Sequence, residues 1–351
     1  MRRRDLMLGA AAFGVTAKGS AMAGSPLHIP PEEAPHAQTF MMWPSSLPVY
    51  GDRVFLRMAQ RTIADIANTI AQFEPVILLA DAAQHATARK WLSDAVTLWD
   101  VPTEDLWARD AGPLFAFQDG ELVVSHIQFN GWGNKQQHRH DGQVAARVAA
   151  RMGIPLIDSG LKGEPGGVEH DGHGLLMAHE SSWVNPNRNP GLSRGQVEDR
   201  LLAAYGAERM IWARGVYGED ITDYHIDALA RFTGPGRVLM NLPDAPVTDD
   251  PFHLAALETH DALKAAGLEI DVIPEPEIRR VASIEFVASY ANYYVCNGAV
   301  IAAQFGDETA DTIAVEALQR HYPGREVITL NVDVLGELGG GIHCATQQMP
   351  A

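Results

Sequence analysis

Cysteine is scarce in this sequence, whose 351 residues contain only Cys296 and Cys344. Two thiols cannot form the multiple disulfides that staple small secreted domains, so we expect a fold built on a hydrophobic core and two free thiols. Cys296 lies in the apolar, strand-like segment 293–297 and is expected in that core. A free cysteine is more often a small buried hydrophobe than a nucleophile, so a catalytic role for Cys344 needs support from its surroundings.

Positive charge is scarce as well. The chain has 27 lysines and arginines against 44 aspartates and glutamates, which gives a formal net charge of -17 at pH 7. This balance argues against nucleic acid as a partner and favours small cationic ligands. The hydrophobic content of 46% is sufficient for a large core, and the composition is compatible with a homo-oligomer.

Long apolar runs are also missing, and the run at residues 6–15 is too short to span a membrane. It follows Arg3 and Arg4 and precedes an Ala-Met-Ala cleavage motif, which together predict an export signal of the twin-arginine type over residues 1–23. We therefore expect an exported, periplasmic or extracellular protein. Residues 24–351 are predicted to form a single catalytic domain that does not insert stably into a membrane.

Helix-like segments followed by strand-like segments recur along the chain. Apolar periodicity and flanking Gly or Pro predict helices over residues 56–73, 141–152, 193–205, 250–266 and 308–321. The last four begin about 52 to 58 residues apart, a spacing typical of repeated structural units. The pattern predicts five α/β modules, with one additional helix over residues 82–92.

The three glycines of residues 339–341 come just before Cys344. They let the main chain adopt positive φ and let a ligand approach closely, which a strand interior does not require. A cysteine nucleophile also needs a histidine to promote thiolate formation and to protonate the leaving group. His225 is our candidate, because it and Asp227 would share one face of an extended segment. His343 should point away from the neighbouring thiol on an extended segment, so we expect it to be structural.

Two further acidic residues lie beside turns. Asp110 belongs to residues 107–113, Trp-Ala-Arg-Asp-Ala-Gly-Pro, and Glu164 precedes a glycine-rich turn. Alone, the first could form a structural pair with Arg109 and the second could begin a surface hairpin. However, positions 110, 164, 225 and 344 are spaced by 54, 61 and 119 residues, close to one, one and two modules.

Modules arranged around an axis would bring these residues together at its centre. Several carboxylates around a thiol oppose thiolate formation unless the substrate brings positive charge. A guanidinium is the planar cation that carboxylates bind through paired hydrogen bonds. The sequence therefore favours an enzyme that acts on a small cationic guanidino compound.

Two other functions are open at this point. An exported protein that binds cationic amines would fit the acidic composition, although such proteins usually consist of two hinged lobes. A metal site formed by residues 170–173 with His225 and Asp227 is the other alternative, although residues 170–173 are typical of a hairpin turn.

Taken together, six segments resemble the agmatine deiminases and the related bacterial, Porphyromonas-type peptidylarginine deiminases. These segments are residues 107–113, 129–133, 187–190, 225–227, 288–292 and 339–348, and the resemblance covers residues 30–350. It implies a five-module α/β propeller of the guanidine-modifying (pentein) superfamily, with pseudo-fivefold symmetry and an active site on the central axis.

The resemblance also implies roles for individual residues. Cys344 matches the nucleophile and His225 the general acid and base. The carboxylates that hold the guanidinium and orient the histidine match Asp110, Glu164 and Asp227, and the expected lining of the substrate pocket is Trp107, Gly340 and Gly341. The family usually has Glu-Gly-Gly where this chain has Glu-Pro-Gly at residues 164–166, and proline fixes φ and removes a backbone donor there.

The implied reaction converts agmatine to N-carbamoylputrescine and ammonia through a covalent amidino intermediate on cysteine, with no metal or organic cofactor. Peptidyl-arginine is the alternative substrate, because it carries the same guanidinium group. We favour agmatine, since the sequence shows no separate peptide-docking domain.

Overall fold

The computed structural model describes residues 25–247, 249–283 and 285–351. The predicted export signal, residues 1–23, lies outside these ranges and stays a prediction. Within the described ranges, no helix is both long enough and apolar enough to cross a membrane.

Sixteen strands and eleven α-helices make up the described part of the fold. In chain order, strands β1 to β16 are His36–Met42, Val76–Ala80, Val96–Asp100, Leu114–Gln118, Glu121–Gln128, Leu156–Lys162, Val168–His170, Leu175–His179, Arg209–Ala213, Ala230–Gly234, Arg237–Leu242, Glu269–Pro274, Tyr294–Cys296, Ala299–Ala303, Glu326–Leu330 and Gln347–Pro350. Helices α1 to α11 are Leu47–Tyr50, Arg53–Ile70, Ala82–Ala88, Ala108–Ala111, Gly131–Asn134, Val144–Met152, Glu180–Trp183, Arg194–Tyr205, Pro251–Ala265, Glu308–His321 and Asp333–Glu337.

Five small sheets repeat one pattern, in which an antiparallel strand pair is extended by a third strand added in parallel. Four of them have the strand orders β4-β5-β6, β7-β8-β9, β10-β11-β12 and β13-β14-β15. A helix crosses from the second to the third strand in each, namely α6, α8, α9 and α10. The repeat confirms the predicted five-module α/β propeller.

The fifth sheet joins the two ends of the described chain. Its order is β16-β1-β2-β3, where β16 pairs antiparallel with β1 and places Gln348 opposite Thr39. Helix α2 crosses from β1 to the parallel strand β2, as in the other units. Strand β16 therefore closes the ring, and it begins three residues after Cys344.

Local sequence signals explain where the crossing helices begin and end. Helix α8 starts at a capping box in which Ser193 and Gln196 bond each other's backbone, and it ends at Gly206, which has φ of 65°. Helix α10 spans the predicted residues 308–321, with Asp307 as its N-cap. The additional helix α3 follows the same logic from the N-cap Asp81, but ends at Ala88, earlier than predicted.

The two cysteines lie in different environments. Cys296 is 1% exposed in β13, within the main hydrophobic cluster, and burial raises the pKa of its thiol. This confirms that Cys296 is a core residue. Cys344 lies in the turn between α11 and β16, where polar groups surround it.

Candidate active site

Each of the five units contributes a polar side chain from the segment that leads into its first strand. These side chains are Asp110 before β4, Glu164 before β7, His225 and Asp227 before β10, Asn292 before β13 and Cys344 before β16. All are buried, with Cys344 the most exposed at 9%. The structure therefore brings together the four predicted module positions, and the fifth unit adds Asn292.

Asp110 lies in the short helix α4. Its neighbour Arg109 turns away to Glu32, with 3.0 Å between Nη2 and Oε2, so the two do not form a structural pair. The Oδ2 atom of Asp110 accepts a 2.9 Å hydrogen bond from Nε1 of Trp132. Burial, reinforced by the charges of Glu164 and Asp227, raises the pKa of Asp110 to about 6, although His225 and Trp132 oppose this shift.

Trp132 belongs to the irregular one-turn segment α5 after β5, where its φ of 53° and ψ of 49° are not helical. This left-handed conformation is unfavourable for a bulky side chain, and such strain is frequently stored at functional sites. The ring of Phe129 packs edge-on against the indole, with 4.9 Å between ring centroids. This segment thus directs the indole N–H towards Asp110.

Glu164 is held by a buried arginine. Nε of Arg188 lies 3.1 and 2.8 Å from the two oxygens of Glu164, and its Nη1 lies 2.6 Å from Oδ2 of Asp223. Pro165 fits the chain here, because it starts a 3-10 turn, Pro165–Gly167, at a position where no backbone donor is needed. The substitution of proline for glycine therefore leaves Glu164 inside the site.

His225 lies between two carboxylates. Its Nε2 is 3.2 Å from Oε2 of Glu164, and its Nδ1 is 3.7 Å from Oδ1 of Asp110. Burial alone would lower the pKa of His225, but Asp110 and Glu164 raise it to about 9. His225 is therefore an imidazolium at neutral pH and can donate a proton.

Asp227 follows His225 in a 3-10 turn, Ile226–Ala228, rather than in the predicted extended segment. Both side chains nevertheless face the site. A methyl group at Gly166 would lie 2.6 Å from Oδ1 of Asp110, 3.1 Å from Nδ1 of His225 and 3.3 Å from Oδ2 of Asp227. The three side chains thus surround one point, and only glycine leaves that space open.

The Cys344 thiol contacts Asp227 and Asn292. Its Sγ is 3.4 Å from Oδ2 of Asp227 and 3.2 Å from Nδ2 of Asn292. Burial, followed by the charges of Asp227 and Asp110, raises the pKa of Cys344 well above its ordinary value. Without a cation in the site, Cys344 is a thiol rather than a thiolate.

Two glycines leave room around this thiol. A methyl group at Gly340 would lie 2.6 Å from the Trp107 ring and 3.4 Å from Sγ of Cys344. At Gly341 it would collide with the side-chain oxygen of Asn292. Trp107, Gly340 and the thiol are therefore neighbours, as a pocket wall requires.

The extended backbone from which His343 was expected to point away from the thiol is not observed. Residues 342–345 form a turn, not an extended segment, so alternation of side chains does not apply. Nδ1 of His343 lies 2.7 Å from Oδ2 of Asp227, the same oxygen that the thiol contacts. Its Nε2 lies 3.0 Å from Oε2 of Glu32.

Two buried carboxylate oxygens in the site accept no hydrogen bond from the part of the chain that the structure describes. They are Oδ1 of Asp110 and Oδ1 of Asp227. A buried acceptor without a donor is costly, and such an atom calls for a ligand or another explanation. A planar cation with several N–H groups could donate to both oxygens.

Asp171, one of the alternative metal ligands at residues 170–173, instead forms hydrogen bonds within its own turn. Oδ1 of Asp171 accepts backbone hydrogen bonds from His173 at 2.7 Å and from Leu175 at 2.9 Å. This is the hairpin turn between β7 and β8. His225 and Asp227 belong to the site described above.

Three further residues of the site, namely Trp132, Arg188 and Asn292, were assigned no role from the sequence, although each lies in a segment that carries the family resemblance. The sequence did carry a signal for Asn292, because the interval of 119 residues between His225 and Cys344 requires one more module position between them. Trp132 and Arg188 act on Asp110 and Glu164 from irregular segments, where no periodicity marks them.

The chain is similar in sequence and in fold to several known proteins. The chain is 33% identical to the agmatine deiminase of Medicago truncatula, covering 92% of this chain and 96% of that one. Its fold matches the structure of agmatine deiminase of Enterococcus faecalis with a TM-score of 0.83 and 25% identity, over 93% and 96% of the two chains. It also matches the fold of a C. jejuni agmatine deiminase solved with substrate bound, with a TM-score of 0.82 and 24% identity over 92% and 96% of the chains. Residues 28–350 match the Porphyromonas-type peptidyl-arginine deiminase family, and the chain belongs to that family.

Proposed function

We propose that this chain is a guanidine deiminase that converts agmatine to N-carbamoylputrescine and ammonia. The observation that carries the proposal is that two buried oxygens near the Cys344 thiol, Oδ1 of Asp110 and Oδ1 of Asp227, accept no hydrogen bond from the described residues. A guanidinium placed between them would satisfy both acceptors and bring its carbon to the sulfur. The similarity to agmatine deiminases supports agmatine as the guanidine.

The first half of the reaction forms a bond between sulfur and carbon. The bound guanidinium supplies the positive charge that the site lacks, which lowers the cost of forming the Cys344 thiolate, and the thiol proton passes to solvent because His225 is already protonated. Sulfur attacks the guanidinium carbon, and His225 donates its proton to the departing amino group. Ammonia leaves, and an amidino group remains on Cys344.

In the second half, His225 has lost its proton and acts as a base. It takes a proton from a water molecule that attacks the amidino carbon, and the carbon–sulfur bond then breaks. The ureido product leaves as the proton of the added hydroxyl group passes to sulfur, which restores the Cys344 thiol and the His225 imidazolium. Asp110 and Asp227 hold the planar group in both halves.

Burial of the site favours a small substrate. Cys344 is 9% exposed, Trp107 is 7% exposed and Trp132 is 2% exposed. A free amine with one guanidinium can enter such an enclosed site more easily than an arginine within a folded polypeptide. This supports agmatine over peptidyl-arginine.

A colorimetric ureido assay of purified protein tests the proposal, with agmatine, free arginine and an arginine-containing peptide as substrates. We expect turnover of agmatine, and we expect Cys344→Ala to abolish it while Cys296→Ser retains it. Turnover of the peptide alone would favour a peptidylarginine deiminase. Binding of agmatine without turnover by the unaltered protein would favour a binding protein and contradict the proposal.

We also propose export through a twin-arginine signal, on the basis of Arg3, Arg4 and the segment that follows them. N-terminal sequencing of protein recovered outside the cytoplasm should begin near residue 24. Replacing Arg3 and Arg4 by lysine should retain the protein inside the cell. Unchanged export of that variant would exclude this route.

A further inference from the structure

His343 is held between two carboxylates in the interior. Its Nδ1 lies 2.7 Å from Oδ2 of Asp227 and its Nε2 lies 3.0 Å from Oε2 of Glu32, while the residue is 2% exposed. A neutral imidazole carries only one N–H, so it cannot donate to both carboxylates at once. Two hydrogen bonds to ionised carboxylates therefore require an imidazolium.

The surrounding charges fit a cation at this position. Five charged side chains lie in direct contact or in the same ion-pair cluster, namely Glu32, Glu169, Asp227, Arg109 and Arg231. With His343 protonated, three positive groups face three negative groups. Among the described residues, only His343 forms an ion pair with Asp227, although the charges of His225 and Arg231 also act on it, so a neutral His343 would leave this buried carboxylate without a direct cationic partner.

Asp227 and Glu32 behave as ionised acceptors. Burial alone would raise the pKa of Asp227, but the hydrogen bond and the charge of His343 lower it. Burial would also raise the pKa of Glu32, but Arg231, His343 and Arg109 together bring it well below its ordinary value. Both carboxylates are thus charged at neutral pH, as the two hydrogen bonds require.

The charge of His343 can affect the reaction through one atom, Oδ2 of Asp227. Oδ2 of Asp227 accepts from His343 and also contacts Sγ of Cys344 at 3.4 Å. A thiolate at that distance from a bare carboxylate would be repelled, and a cation on the far side of the same oxygen weakens the repulsion. His343 also fixes the position of the turn, since its backbone N–H donates to the carbonyl oxygen of Asn292 at 3.2 Å.

We propose that His343 is a positively charged positioning residue, which keeps Asp227 ionised and directed at the guanidinium and reduces the repulsion between Asp227 and the Cys344 thiolate. Its role in turnover rests on the proposed deiminase function. The effect of His343 on the thiol does not rest on that function, because the charges of His343 and Asp227 act on Cys344 even when no substrate is bound.

The test uses the full chain with Cys296→Ser, so that Cys344 is the only thiol. The rate of alkylation by iodoacetamide, an uncharged reagent, is measured against pH with and without His343→Gln. We expect alkylation between pH 6 and pH 8 to be about tenfold slower in His343→Gln, because a neutral amide cannot offset the charge of Asp227. Coincident curves from folded proteins would overturn the proposal.

A matched control is His179→Gln. His179 is also fully buried and bonded at both ring nitrogens, but to the carbonyl oxygen of Tyr224 and the hydroxyl of Thr259, which are neutral. It should lower thermal stability without moving the alkylation curve. An equal movement in both variants would show a merely structural effect and would also overturn the proposal.

Two further measurements separate the possible failures. The first is NMR of the unaltered chain labelled with ¹⁵N-histidine, in which His343 should carry protons on both ring nitrogens at pH 7. A neutral ring would contradict the inference even if His343→Gln does not fold. With agmatine, we expect kcat/KM to fall at least about tenfold in His343→Gln. If the unaltered protein does not turn over agmatine while the alkylation curve moves as expected, the proposed substrate fails and the role of His343 stands.

Discussion

Nε2 of His225 lies 3.2 Å from Oε2 of Glu164, and Glu164 is in turn gripped by the buried Arg188. The chain of contacts continues from Arg188 to Asp223 at 2.6 Å and from Asp223 to Lys135 at 2.8 Å. Lys135 follows the segment that carries Trp132, whose indole donates to Asp110. His225 is therefore positioned by a series of polar contacts that extends from Glu164 through Arg188 and Asp223 to Lys135.

Asp110 predicts how substrate affinity depends on pH. Because burial raises its pKa to about 6, the carboxylate is ionised above that pH and protonated below it. The guanidinium stays charged throughout, so affinity should be present above pH 6 and lost as the pH falls through 6. Calorimetric titration of agmatine into Cys344→Ala tests this, and an affinity that is constant from pH 7 to pH 5 would contradict it.

Trp132→Phe should move that midpoint upward. The indole N–H stabilises the ionised form of Asp110, and phenylalanine keeps the ring but removes the donor. The expected shift is roughly half to one pH unit, the size of one hydrogen bond to a charged group. The control is Trp212→Phe, which changes a comparable ring outside the site. It removes the hydrogen bond from Trp212 to Glu198 and should leave the midpoint unchanged.

Arg188→Met should destabilise the fold and slow the reaction. The change leaves Glu164 and Asp223 buried without their main cation, and breaking a buried ion pair on one side costs about 3–5 kcal/mol. Urea unfolding measures the loss. As a control, Arg320→Ala removes an exposed pair with Asp271 and should cost less than about 1 kcal/mol. Equal losses in the two variants would argue against a special role for Arg188.

Gly340→Ala should impair the pocket beside the thiol. The added methyl group would lie 2.6 Å from the Trp107 ring, so the ring or the turn must move. We expect at least about a tenfold fall in kcat/KM for agmatine, in line with the cost of small displacements in an active site. Gly195→Ala, in helix α8 with nothing within 4 Å, should keep full activity and gain about 0.5–1 kcal/mol of stability.

The five modules could be predicted because periodicity is a local signal, whereas their arrangement as a propeller was implied by the family resemblance. Helix α10 has the predicted boundaries, and the interval between modules led to Asp110, Glu164, His225 and Cys344. The backbone at His343 was not predicted, since an extended segment was expected where residues 342–345 form a turn. Its partner Glu32 lies 311 residues away, and no local pattern reports a contact of that separation.

The pairing of β16 with β1 makes the site a late product of folding. The strand that follows Cys344 can dock only on residues near the other end of the described chain, so the thiol meets Asp227 after the ring has closed. Contacts between such distant segments form slowly because a long loop must first be ordered. We therefore expect a partly folded chain in which β16 is not yet paired with β1 to lack an assembled site.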